Sequence, residues 1–421
     1  QLLIPTCLRD LPPTLTSAMS CASVQGDEKL VIIGGGPTGS SLAKHTQKMF
    51  NVTLIERREA MVLKPAGVRA VCTADYMSPS LIPLTNVCPK GKVIRGEAKS
   101  VDTAAKTVLL ADGQSVPYDY LAICTGGINM SPAEASGSSI KDMIQSWTET
   151  MEKIKASKKC VIIGGGPVGV ELAGEIAHWH QEVKVTIVHS GETLCSNTQP
   201  LKLPKKNIDK LTKQLEERGV EVIVGDRAEA DGEGPLTMDR FGEHKSLTGQ
   251  RTLTLKSGRK VECDLVLWCT GFRPESSVLS ASAGLADKVD ERGQVKVNKF
   301  LQVEGLDTVF SLGDCNNWPE TKMLMTSMSY KGAEMIKTKG QCDIAMKNMD
   351  QHRKGKPMVE YVGNAKMSLK MMITVGETGT VWGMPEFMIG AKGRDLMTQG
   401  LNGDFGHKIK IPPKVPPRKK A

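Results

Sequence analysis

Short apolar runs and amphipathic stretches alternate along the chain, and they do so twice in the same order. The runs KLVII, from Lys29, and KCVII, from Lys159, read as buried parallel strands. Each is followed by a glycine cluster and an amphipathic stretch that predicts a helix, SSLAKHTQKM in one case and VELAGEIAHWH in the other. A second apolar strand then returns, NVTLIE or VKVTIVH, completing a βαβ unit in both places. Three alternating segments after each unit predict antiparallel strands. They are KVIRGEAKSVD, KTVLLADG and QSVPYDYLAICTG in the first copy, and EVIVGDRAEA, RTLTLKSG and RKVECDLVLWCTG in the second. Beyond residue 290, QVKVNKFLQVEGLDTVFSLGD predicts two more strands, and a helix is expected from about Met323 to Thr338. From about Gln341 the pattern offers strand-like SLKMMITVGE and GTVWGM.

The repetition extends to the letters. VIIGGGPTG at Val31–Gly39 returns as VIIGGGPVG at Val161–Gly169, with only Thr38 and Val168 differing, and LAICTGG ending at Gly127 pairs with LVLWCTGF ending at Phe272. So long a separation with no third copy excludes a solenoid. The expected fold is α/β, two Rossmann-like dinucleotide-binding domains with a small α+β C-terminal domain. The first domain is placed at residues 29–126 plus 290–340, the second at 127–289, the C-terminal domain at 341–405 and a basic Pro-rich tail at 406–421. Residues 1–28, rich in Pro, Ser and Thr, read as a processed leader or an unstructured arm. That leader favours an organelle, the mitochondrion ahead of the plastid.

Composition narrows the picture. Apolar residues at 40% and charged residues at 24% suit a globular chain, and no run of about 18 apolar residues occurs to form a spanning helix. A net charge of +9 is a mild excess, not a nucleic-acid signature, and the tail HKIKIPPKVPPRKKA contributes part of it. The tail is a solvated extension or a docking strip for an anionic membrane or larger assembly. The 11 cysteines include no CxxC or CxxxxC pair, which argues against a disulfide framework, a cysteine zinc site and a redox-active dithiol. No metal is expected. Cys124, Cys269 and Cys315 read as buried structural thiols, and His178 and His180 as a polar helix face.

The chemistry lies in the glycine turns. In the first, Gly34, Gly35, Gly36, Pro37, Thr38 and Gly39 sit between strand and helix. Gly34 permits the tight turn, Gly36 lets backbone approach a diphosphate, and Gly39 lets helix and strand pack closely. Glu56, at the end of the next strand, is placed to hold ribose hydroxyls. Gly164, Gly166 and Gly169 repeat the arrangement, but here the second strand ends at His189. A carboxylate at that position would repel a 2′-phosphate, so both NADH and NADPH stay open; alternatively His189 is only a strand-end surface residue. Two such turns suggest two dinucleotides. TVFSLGDC nominates the flavin site, because Asp314 at a strand end can accept from ribityl hydroxyls. A helix starting near Met323 could then aim its positive end at an isoalloxazine.

These features resemble the two-dinucleotide-binding-domain flavoproteins, which include type II NADH dehydrogenases and apoptosis-inducing-factor-like oxidoreductases. The likeness is greater to ferroptosis-suppressor-type NAD(P)H:quinone oxidoreductases, through GVELAGEI, EVKVTIVHS, LVLWCTG, LQVEGLDTVFSLGDC, TKM and GRDL near Arg394. The resemblance implies FAD contacts at Gly34 to Gly39, Arg69, Ala98, Thr125, Gly126 and Asp314. It implies NAD(P)H contacts at Gly164, Gly166 and Gly169, with Gly271 in the second CTG, and places Glu171 near the nicotinamide–flavin junction. The alternative for Glu171 is a favourable charge in the first turn of a helix.

The activity expected is hydride transfer from NAD(P)H to FAD and delivery of electrons to a quinone or another small-molecule acceptor, with Glu171 and Lys322 tuning the junction. Monodehydroascorbate- or ferredoxin-type reduction is a rival on the same fold. A non-catalytic subunit of a large membrane assembly is the rival of another class. Peripheral membrane contact, if made, falls to Trp382, Met384, Phe387, Met388 and the basic tail.

Overall fold

The computed structural model describes residues 27–196, 202–328, 339–363 and 371–382, together with 398, 399, 402 and 404–406. The first half is built on β1 (Lys29–Ile33), α1 (Pro37–Thr46), β2 (Asn51–Glu56), α2 (Lys64–Ala70), β3 (Lys92–Arg95) and β4 (Tyr120–Ile123). These strands and Val309–Ser311 make one parallel sheet in the order β3-β2-β1-β4 and then Val309–Ser311. The unbroken apolar run of β1 follows from burial on both sides. Leu30 and Ile32 pack with Leu42 and Ala43 of α1, whereas Val31 and Ile33 pack with Val108, Leu110 and Val116 of a small antiparallel sheet.

The second half repeats the design. It comprises α3 (Ile140–Ala156), β5 (Lys159–Ile163), α4 (Pro167–Trp179), β6 (Lys184–His189), α5 (Lys205–Glu216), β7 (Glu221–Val224), β8 (Ser246–Leu255) and β9 (Lys260–Trp268). β7, β6, β5 and β9 are neighbours in that order and parallel, and β8 returns antiparallel to β9. Cys160 and Ile162 face α4 and α3, where Val170, Leu172 and Trp147 wait; Val161 and Ile163 face Leu253, Leu255 and Val261. None of the repeat motifs marks α3. It is nevertheless amphipathic and starts with a capping box, in which Asp142 N–H donates to Ser139 Oγ and Ser139 N–H to Asp142 Oδ2.

Several expected strands divide differently. KVIRGEAKSVD is two strands in two sheets: β3 joins the parallel sheet, and Ala98–Asp102 opens a three-stranded antiparallel sheet with Thr107–Leu110 and Ser115–Pro117. The break falls at Gly96, whose N–H donates to Glu56 O. EVIVGDRAEA breaks likewise at Gly225, which adopts φ +71°. Between residues 290 and 328 the regular strand is Val309–Ser311, and Val295, Val297 and Gln302 form isolated bridges around a left-handed turn at Leu301. The helix expected from Met323 is one turn, Leu324–Ser327, because Met328 is already extended; residues 329–338 lie outside the described residues. The longer helix is α6 (Gln341–Arg353), which buries Cys342, Ala345 and Met349.

α6 lies on α1 of the first half. The hairpin β10 (Met371–Val375) and β11 (Thr378–Trp382) lies on α4 and α5 of the second. The two halves are joined by crossover strands, Gly127–Asn129 against Phe272–Pro274, antiparallel. None of the described helices is long and apolar enough to cross a membrane.

Candidate functional site

At the C-terminal edge of the first sheet the chain turns through Gly34 with φ +103°. A Cβ on Gly34 would stand 2.4 Å from Cys124 O, and one on Gly39 would stand 1.9 Å from Gly34 O. Both positions therefore need glycine for packing. Gly36 differs, since a Cβ there would meet nothing within 4 Å: its open face is the cradle. Gly36 is also the N-cap of α1, with Pro37 following and no side-chain cap, so the helix offers its first-turn N–H groups to a ligand. Glu56 is fixed alongside, its carboxylate accepting from Gly35 N–H at 2.6 Å and Arg58 N–H at 2.9 Å. Thr38 packs under Gly313, and its carbonyl accepts from Cys342 Sγ at 3.3 Å. Ala98 is half-buried where the antiparallel sheet begins, two residues past the Gly96 that bonds to Glu56 O.

The second turn matches the first closely. Gly164 has φ +114°, a Cβ on it would stand 2.4 Å from Cys269 O, one on Gly169 would stand 1.9 Å from Gly164 O, and one on Gly166 would meet nothing within 4 Å. α4, like α1, begins with an N-cap glycine and a proline and has no side-chain cap. The side chain after the turn is equivalent too, for a Cβ on Gly35 would meet Glu56 Cβ, and one on Gly165 would meet His189 Cβ, both at 2.9 Å. His189 is not a surface residue. It is 4% exposed and pairs with Ser196 Oγ at 3.0 Å, and burial holds its imidazole below the ordinary value. Both turns and both acid-equivalent positions thus fit the diphosphate and ribose of a dinucleotide.

The CTG segments close each turn and lead directly into the paired crossover strands. Glu275 N–H donates to Gly126 O at 2.9 Å, and Met130 N–H donates to Gly271 O at 3.2 Å. Thr125 Oγ1 donates to Glu275 O.

Asp314 follows Gly313 at the end of Val309–Ser311. Desolvation raises its carboxyl above the usual range, opposed by the charges of Lys64 and Lys322 and reinforced by Glu134. Lys322 Nζ donates to Asn316 Oδ1 at 2.8 Å and Trp318 O at 3.0 Å. Burial lowers its ammonium, while Glu320, Asp314 and Cys315 pull it back up. Behind it Gln341 joins Gly313 N–H, Asn316 and Glu320, and Tyr361 Oη donates to Glu320. Lys64 reaches Glu134 Oε2 at 3.1 Å and Gly127 O at 2.7 Å. Lys64, Glu134, Asn316 and Gln341 carry no motif and escape a reading by repeats.

Two predicted residues have partners of another kind. Arg69, in α2, grips Glu175 of α4 with Nε to Oε2 at 3.0 Å and Nη2 to Oε1 at 3.1 Å, and Nη1 donates to Tyr76 Oη. Trp179 Nε1 adds a bond to Glu175, and His180 Nε2 lies 2.9 Å from Cys72 O, so this is a buried joint between the halves. Glu171, one helical turn before Glu175, accepts from Thr374 of the hairpin. A signal for Glu175 did exist: a charge on the apolar stripe of GVELAGEI must find a buried partner. His178 and His180 are no polar face, since His180 is 6% exposed and His178 packs against the hairpin turn at Gly376.

Cys124 and Cys315 are buried free thiols, and Cys269 is a free thiol less fully enclosed. Among the described residues no His, Cys, Asp or Glu cluster could hold a metal. Met384, Phe387, Met388, Arg394, the basic tail and the side chain of Trp382 lie outside the described residues.

Paired cradles, each at the carboxyl edge of parallel strands and each closed by a CTG segment that leads into the crossover strands, define a two-dinucleotide flavoprotein oxidoreductase. The chain belongs to the pyridine nucleotide-disulphide oxidoreductase family, whose model matches residues 28–332, and FAD and NAD(P)H are the cofactors of that family. It is 30% identical over 311 residues to apoptosis-inducing factor homolog A of Dictyostelium discoideum, covering 72% of this chain and 74% of that protein. It is 27% identical over 389 residues to ferroptosis suppressor protein 1 of Xenopus tropicalis, covering 92% and 96%. Its fold is shared with the sulfide:quinone oxidoreductase of Aquifex aeolicus, with a TM-score of 0.63 and 18% identity over 83% of this chain and 82% of that one.

Proposed function

We propose that the chain is an NAD(P)H:quinone-type oxidoreductase. Bound FAD supplies the redox chemistry, taking hydride from NAD(P)H and passing electrons onward. The residues bind and orient. Gly36 and the first turn of α1 receive the FAD diphosphate, Glu56 the ribose, and Thr125, Gly126 and Asp314 the remainder of that cofactor. Gly166 and the first turn of α4 receive the NAD(P)H diphosphate, with Gly271 closing the turn. His189 and Ser196 present a neutral pair at the adenosine ribose, which supports use of both NADH and NADPH. Lys322 and Lys64 bring positive charge to the Asp314 region, and Glu171 stands on the nicotinamide side.

The observation that carries this reading is the pair of equivalent glycine turns, each with an open glycine, Gly36 or Gly166, at a helix N-terminus that has no side-chain cap. The quinone is supported by full-length likeness to ferroptosis suppressor proteins. It is supported also by a sequence without CxxC or CxxxxC, so that electrons leave FAD without a dithiol relay.

Anaerobic mixing of the purified yellow protein with NADH tests the donor side. The visible flavin band should bleach within roughly a second, the scale of ordinary turnover. A band that persists would leave the fold as a non-catalytic subunit. Readmitting a soluble quinone, monodehydroascorbate or oxidised ferredoxin to the bleached protein tests the acceptor, and the quinone should restore the colour fastest.

A further inference from the structure

α4 is where three parts of the molecule meet. Its N-terminus is the open Gly166 turn, its Glu175 holds Arg69 of the first half, and its Glu171 holds the hairpin. Two carboxylates one helical turn apart repel each other, and each is satisfied by a different neighbour. The hairpin's grip is specific. Thr374 N–H and Thr374 Oγ1 both donate to Glu171 Oε1, each at 2.9 Å, and Thr374 is fully buried. Docking there is close: a Cβ on Gly174 would stand 2.6 Å from Val375 Cα. Asn207 of α5 donates to Thr380 Oγ1 at 2.6 Å, and Gln214 to Gly379 O at 3.3 Å.

Glu171 also stands beside the second cradle. It lies in the second turn of α4, the helix whose N-cap is the open Gly166. A carboxylate has several rotamers on a helix surface, and two donors on one oxygen select among them. Glu171 is therefore set by a residue about two hundred positions further along the chain.

We propose that Thr374 is a positioning residue for the reduced nicotinamide cofactor, its N–H and hydroxyl fixing the Glu171 carboxylate against the second cradle. The inference rests on the reading of that cradle as the NAD(P)H site and adds to it a specificity element from the C-terminal hairpin.

The test uses the full-length FAD-loaded enzyme and NAD⁺ as a non-reducing binding probe, followed by calorimetric titration. Thr374→Val keeps size and the backbone donor but loses the hydroxyl. It should bind NAD⁺ about tenfold more weakly, as expected for one hydrogen bond to a charged group. KM for NADH should rise correspondingly with kcat nearly unchanged, and Thr374→Ser should restore both. In a Glu171→Ala background, Thr374→Val should add nothing further. Asn207→Ala, which loosens the same hairpin without touching Glu171, should bind NAD⁺ as the wild type does. Wild-type affinity in Thr374→Val, additive losses with Glu171→Ala, or an equal loss in Asn207→Ala would each overturn the positioning role alone. A flavin-loaded wild type that binds no NAD⁺ and is not bleached by NADH would overturn the NAD(P)H reading, and this inference with it.

Discussion

Gly36 and Gly39 show how much one methyl group can separate. A Cβ on Gly39 would collide with Gly34 O at 1.9 Å, so Gly39→Ala must move backbone. A loss of about 1–3 kcal/mol is expected, the usual cost of overpacking. A Cβ on Gly36 meets no protein atom, so Gly36→Ala should cost about 1 kcal/mol or less as a changed N-cap while occupying the cradle. Thermal unfolding of the flavin-free proteins, together with the flavin-to-protein ratio after purification, separates the two. Gly36→Ala should fold and retain little flavin; retention at the wild-type level would remove the diphosphate from this site. Such residues were legible in the sequence because strand, turn and helix spacing leave few positions for them. Lys64 and Glu134 were not, since neither stands in a motif and their meeting depends on how α2 approaches the loop after the crossover.

Among the elements, α4 and α2 carry the main buried joint. Glu175 is fully buried and Arg69 is nearly so, and their pairing is bidentate. Arg69→Met would leave the carboxylate without its cation and should cost about 3–5 kcal/mol. The double variant Arg69→Met with Glu175→Leu removes both charges and should recover most of that. Urea titration of the wild type, the two single variants Arg69→Met and Glu175→Leu, and the double variant gives the comparison, and an Arg69→Met protein no less stable than the double would show the pair to be unimportant. The elements themselves were partly legible. Apolar periodicity found β1, β2, β5 and β6, but it ran two strands together at Gly96 and again at Gly225, because alternation continues across a glycine while the strand changes its pairing partner there. It also missed α6, whose buried positions include Gln341 and Asn348 and so carry a weak apolar signal.

For the molecule as a whole, acid should be destabilising in a defined window. His178, His180 and His189 are all held below the ordinary imidazole value of about 6.5, with burial the leading cause. As pH falls through 6.5 the unfolded chain takes up protons at these sites before the folded one does. Their contribution is therefore complete above about pH 6.5 and is lost as pH drops toward the folded-state values. Calorimetric melting temperatures should fall over that acidic interval, and His180→Gln should flatten the decline; an unchanged slope would exclude His180 as a source. His178 and His180 matter at this scale because they sit at joints, one beneath the hairpin and one bonded to Cys72 O across the halves.

The sequence by itself determined the two βαβ units, both glycine turns and the acid-or-histidine choice after each, because those depend on local sterics and on strand–turn–helix spacing over a few dozen residues. Only the tertiary structure decided that Arg69 pairs with Glu175, that Thr374 holds Glu171 and that Gln341 reaches Gly313. Each of those contacts joins positions far apart in the chain, and a buried charge or amide has no local pattern that names its partner. Desolvation demands that a partner exist; packing alone selects which one.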